Sequence, residues 1–172
     1  MGSGKSTLAA QLSGELGASL TSFGDFVRHL ALEGGREPAR SVLQEIGQRA
    51  VDADPRAFVR NFLAWSAVDP ARPVVIDGLR HAVVLRELRG WAGGERRPLV
   101  TGLVVAPEHE RAARLTGGDL DALRRAERHR VETEAAGTLA PLVDFVVRYP
   151  WDLTAVLASI RAAAEDGEDA HT

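Results

Sequence analysis

Residues 2–7 read Gly-Ser-Gly-Lys-Ser-Thr, a run whose types and order suit one task, holding phosphate. Small residues let backbone N–H groups turn inward around phosphate oxygens. A helix that follows them points its positive end at the same anion. Lys5 can neutralise β- and γ-phosphates, and the Ser6 hydroxyl can be offered to Mg²⁺. Gly2, Ser3, Gly4, Lys5, Ser6 and Thr7 are therefore the candidate nucleotide-binding residues, with ATP and Mg²⁺ as the expected cofactors. The full pattern is G-x-x-x-x-G-K-[ST]. Met1-Gly2-Ser3 supply its last three spacers, and the first glycine and one spacer are missing. The bland alternative is a Gly/Ser turn capping an ordinary helix. Against it stands the distribution of basic residues: 20 are arginine, and the one lysine is Lys5. A compact ammonium on a flexible stem suits this position where a planar guanidinium does not.

Three further groups could complete such a site. Asp77 closes the run "PVVID" (Pro73–Asp77), which reads as a strand buried on both faces. A carboxylate at that end faces the edge where open parallel sheets bind ligands, so Asp77 joins Ser6 as a candidate Mg²⁺ residue. The alternative is an aspartate capping the next helix. Asp25 and Arg28 are i,i+3, and an arginine held by an aspartate near a helix start makes a clamp for a substrate phosphate. The alternative is a surface ion pair of little consequence. Arg80, just past Asp77-Gly78, could reach the same acceptor phosphate, or else sit solvated at a helix start. Phosphoryl transfer also needs cations closing over the moving group. Arg111 and Arg114, then Arg124, Arg125 and Arg128, flank a break at Thr116–Gly118, with Arg111 and Arg128 the first candidates for catalytic residues. The i,i+4 pairs Arg128–Glu132 and Arg130–Glu134 equally fit an exposed, charge-laced helix.

These residues need elements to hold them. Leu8, Leu12 and Leu16 recur on one face of a helix over 5–16, stopped by Gly17. A short strand follows at 19–23, then helices at about 24–32, 41–53 and 55–67, the last with Pro55 in its first turn. Strands at 73–77, 99–106 and 143–148 all read as buried, with helices at 82–91, 107–115, 120–136 and 153–164. The acidic end "EDGEDAHT" reads as a frayed tail. Strands alternating with helices predict an α/β fold, a parallel sheet with helices on both sides. The strand that should feed the phosphate loop is missing from this chain. The expectation is that Met1 is not the biological start and that this first, central strand is encoded upstream.

"SFGDFVR" (Ser22–Arg28) resembles the G-D-x-x-R element of adenylate-kinase-type nucleoside monophosphate kinases, and "VVIDGLR" (Val74–Arg80) is similar to their strand ending in Asp-Gly. The string I-D-G-x-R, the later Arg128–Glu132 and the aspartate-led Asp144–Arg148 look closer still to the archaeal dephospho-CoA kinase-like and adenylate-kinase-like group. The resemblance implies a P-loop NTPase-type sheet. It also implies ATP-dependent transfer to a nucleotide-type acceptor, a nucleoside monophosphate or dephospho-CoA, with Asp25, Arg28 and Arg80 on the acceptor side. It implies an arginine-bearing lid, here short, with Gly117-Gly118 where a further arginine is expected. Two other readings stay open: a small-metabolite kinase of the shikimate or gluconate type, and a nucleotide-binding regulator without transferase activity.

At 172 residues and 45% hydrophobic, the chain suits one domain. The expected layout is a kinase domain over 1–165, acceptor-binding helices over about 24–68, a lid over about 111–128 and an acidic tail over 166–172. The net charge of −3 argues against a nucleic-acid partner, leaving a small nucleotide-like molecule as the expected one. Apolar runs such as Leu99–Ala106 are far short of a bilayer span. Without cysteine there are no disulfides, and the five histidines show no metal-ligand spacing. A cytoplasmic protein is expected, of an oligomeric state the composition leaves open.

Overall fold

The computed structural model describes residues 3–69, 71–107, 109–110 and 137–169. In chain order they form α1 (Lys5–Glu15), β1 (Ser19–Ser22), α2 (Phe23–Glu33), α3 (Arg40–Ala53), α4 (Pro55–Trp65), β2 (Val74–Asp77), α5 (Ala82–Gly94), β3 (Gly102–Val105), a 3₁₀ turn (Ala140–Leu142), β4 (Phe145–Arg148) and α6 (Leu153–Asp169). The chain divides into two compact units. One comprises residues 9–79 and 83–88, and the other 1–8, 80–82 and 89–172.

The first unit is built around a parallel pair, β1 and β2, in register from Ser19 opposite Val74 to Ser22 opposite Asp77. Parallel neighbours need a long crossover, and α2, α3 and α4 provide it. Helix α2 starts where the sequence supplies a cap: the Ser22 Oγ accepts from the Asp25 N–H at 3.2 Å. Helix α4 starts the same way, with the Asp54 carboxylate accepting from the Ala57 N–H at 2.8 Å and Pro55 in the first turn. Phe23, Phe26, Phe58 and Phe62 form the core of this unit, with the Phe23 and Phe62 rings stacked at 4.0 Å. Four of the chain's five phenylalanines thus meet in one cluster. Helix α3 packs on α2 at Gly47, where an added Cβ would stand 3.4 Å from Val27 Cγ2.

The second unit holds the other parallel pair, β3 and β4, from Gly102 opposite Phe145 to Val105 opposite Arg148. Its register is locked at one end. The Asp144 Oδ2 accepts from both the Thr101 N–H and the Thr101 Oγ1, each at 2.6 Å. Gly102 leaves room for the ring across from it, because a Cβ would come within 2.9 Å of Phe145 Cε2 and Cζ. Arg89 donates to the Leu142 carbonyl at 2.6 Å, tying the end of α5 to the 3₁₀ turn.

Several expectations change. Strands expected over 99–106 and 143–148 shorten to four residues each. Nor are the apolar strands buried on both faces. Val74–Asp77 is half-buried throughout, and β4 alternates, with Val147 buried and Val146 44% exposed. The reason is sheet width: among the described residues each sheet has two strands, so every strand has an open side. The final helix runs to Asp169 rather than ending near Ala164, carrying helical structure into the acidic end. The helix expected over 120–136 lies outside the described residues, as does 107–115 beyond Glu110.

Candidate functional site

Gly4 has φ +79°, a left-handed backbone that glycine adopts without a Cβ clash. The chain enters α1 at the next residue, and the Leu8 N–H donates to the Gly4 carbonyl at 3.0 Å. This geometry matters because the first turn of a helix has N–H groups with no intrahelical acceptor. Here that turn is Lys5, Ser6 and Thr7. Lys5 is half-buried, and Ser6 and Thr7 are exposed. Lys5 forms no ion pair among the described residues. Gly2 lies outside them. The turn thus brings helix-start N–H groups, an ammonium and two hydroxyls together, a donor set that fits a triphosphate with its metal.

The acceptor-side residues lie in the first unit, apart from Arg80. The Arg28 Nη1 donates to the Asp25 Oδ1 at 2.7 Å, as the i,i+3 spacing predicts. The two side chains are 51% and 61% exposed, so the pair contributes little to stability. It does hold a guanidinium in place with donors to spare. Asp77 stands opposite Ser22 at the C-terminal end of the β1–β2 pair, next to the start of α2. Gly78 follows it with φ +89°, and its Cα packs on the first turn of α2, where an added Cβ would lie 3.6 Å from Gly24 N. Asp77, Asp25 and Arg28 therefore share one end of one sheet.

Lys5, Ser6 and Arg80 belong to the second unit, and Asp77, Asp25 and Arg28 to the first. Arg111 and Arg128, the expected lid cations, lie outside the described residues. Among the described residues no three histidine, aspartate or glutamate side chains converge as a metal site would require. None of their helices is long and apolar enough to cross a membrane.

Residues 1–134 match the AAA domain family, a span that includes the Gly4–Thr7 turn, α2 and Asp77. The chain belongs to that family. It is a P-loop NTPase-type, kinase-like α/β domain with short parallel sheets, and nucleotide binding comes with it. This AAA domain is also similar to a UPF0200 protein of Aeropyrum pernix, 35% identical over 114 residues, or 66% of the chain. The chain spans 58% of that relative's length.

Sequence reasoning did not foresee that His29 and Trp65 pack together, with ring centroids 5.7 Å apart. They are 36 positions apart, and neither belongs to a local motif. The one available signal was the aromatic enrichment of residues 23–65.

Proposed function

We propose that this AAA domain is an ATP-dependent phosphotransferase acting on a nucleotide-type acceptor, a nucleoside monophosphate or dephospho-CoA. The observation that carries the reading is Gly4 in the left-handed region delivering Lys5, Ser6 and Thr7 to the exposed first turn of α1. Ser6 and Asp77 are the residues that would hold Mg²⁺, which when bound would supply positive charge against the phosphates of ATP. Lys5 neutralises phosphate oxygens as charge shifts toward the leaving group. Arg28, steadied by Asp25, grips the acceptor's phosphate, with Arg80 as a second cation. Arg111 and Arg128 supply positive charge over the transferred group. A phosphate acceptor is already an anion and needs no base. For a ribose hydroxyl, Asp25 or Asp77 would take the proton. The reading implies a cytoplasmic location, where ATP and such acceptors meet.

The function is tested by ADP release from the protein with ATP·Mg²⁺ and a panel of nucleoside monophosphates plus dephospho-CoA. Acceptor-stimulated release with a phosphorylated product is the expected result. Stimulation by a sugar acid instead would identify a small-metabolite kinase, and tight ATP binding with no transfer to any acceptor would identify a regulator.

A further inference from the structure

One flat surface on α2 has no part in the chemistry above. The His29 ring lies over Trp65 with 28° between their planes. Trp65 in turn rests on Phe26 and Phe62, at centroid distances of 5.5 and 6.4 Å, and Phe62 is fully buried. The orientation of the indole is thus set by the core. The Glu33 Oε1 lies 3.4 Å from His29 Nε2, which holds the imidazole by its edge and leaves a face open. The His29 side chain remains 39% exposed, and Trp65 37%. Leu32, one turn beyond Arg28, is 58% exposed.

A single exposed leucine needs no explanation. An aromatic pair seated on the core and adjoining a phosphate-binding arginine is a more specific arrangement. On a helix surface Arg28 neighbours Leu32 at i,i+4, and Leu32 neighbours His29 at i,i+3. The axial rise of one turn is about 5.4 Å, a gap that the ribose of a nucleotide can bridge between its 5′-phosphate and its base. Rings of the size of imidazole and indole stack on any nucleobase, because every base has a π-face.

We infer that His29 and Trp65, flanked by Leu32, form a stacking shelf for the base of the acceptor nucleotide whose phosphate Arg28 holds. The inference rests on the acceptor-side reading of Arg28. It makes the acceptor a nucleotide because of its base as well as its phosphate, and His29 a specificity-determining residue.

The test uses the full chain with Trp91→Phe and Trp151→Phe, so that Trp65 is the remaining tryptophan, titrated with AMP and with ribose 5-phosphate. AMP should change the Trp65 emission and bind about tenfold more tightly than ribose 5-phosphate. His29→Ala should bring the two affinities within about twofold while leaving that of ribose 5-phosphate unchanged. Trp65→Leu should act likewise, and the His29 variant, which leaves the contacts of Trp65 with Phe26 and Phe62 in place, guards against a folding defect in Trp65→Leu. Arg28→Ala should weaken both ligands. Equal affinities in the parent protein, or a preference for AMP that survives His29→Ala, would overturn the shelf while ribose 5-phosphate binding upholds the clamp. Failure of both ligands to bind would overturn the clamp and the shelf together. A dimer that His29→Ala dissociates, with AMP binding unaltered, would show the face to be a contact between copies and would also overturn it.

Discussion

At the scale of single residues, the proposed chemistry assigns a few cations distinct tasks. Lys5 stands in the first turn of a helix whose open N–H groups already favour an anion, so its ammonium adds to a site of the right sign. Losing a charge that stabilises a transition state typically costs about 10² to 10³ in rate. Lys5→Ala is accordingly expected to lower kcat by that factor with the melting temperature unchanged, since the half-buried side chain forms no ion pair among the described residues. Turnover near that of the parent would remove Lys5 from the mechanism. Arg28 is exposed, and among the described residues it pairs with its own helix's Asp25. Arg28→Ala should therefore raise the acceptor KM at least as strongly as it lowers kcat, with ATP affinity little changed. Steady-state kinetics in both substrates would check this, and an effect confined to ATP would contradict the clamp.

At the scale of elements, the loop between α2 and α3 is pinned to α3 by a charged latch. The Glu45 carboxylate accepts from Arg36 at 3.1 Å and from Arg49 at 2.7 Å. The Arg36 hydrogen bond and charge, helped by Arg49, hold the Glu45 carboxyl below its ordinary value of 4.5. A lowered folded-state value means that folding favours the ionised form. The latch is therefore fully present above pH 4.5 and is lost as pH falls through the folded-state value. Urea midpoints measured down a pH series should drop less steeply for Glu45→Gln than for the parent in that window. The difference should be small and should vanish in high salt, because the groups are exposed. A difference insensitive to salt would point to packing instead. The contact between α2 and α3 themselves is apolar, Gly47 against Val27, and it has no pH dependence of this kind.

At the scale of the whole molecule, stability depends on a small number of buried rings. Phe62 is wholly inaccessible and touches Phe23, Phe26 and Trp65. Phe62→Ala should cost about 3–5 kcal/mol, a large part of a total of about 5–15 kcal/mol. Leu20→Ser on β1 makes the comparison, since Leu20 is 47% exposed and should shift stability by no more than about 0.5 kcal/mol. Chemical denaturation of both variants checks this. Similar losses would mean that the aromatic cluster is not the core.

What the sequence determined by itself is local. The Gly4-Lys5-Ser6-Thr7 turn, Pro55 at a helix start and the i,i+3 pair Asp25–Arg28 all depend on a handful of neighbouring bonds. Each could be read from residue type and spacing. The alternation of strands and helices was legible for the same reason, as hydrophobic periodicity is a property of a short window. Strand ends and burial were less so, because a run such as Val74–Ile76 looks alike whether its strand is covered on one side or two. The tertiary structure alone decided the rest. Parallel pairing set Asp77 beside Ser22, 55 positions earlier in the chain, and Phe145 against Gly102. The packing of α4 on α2 brought Trp65 beneath His29. Such contacts depend on the path of the chain between their partners, which residue type and spacing do not specify.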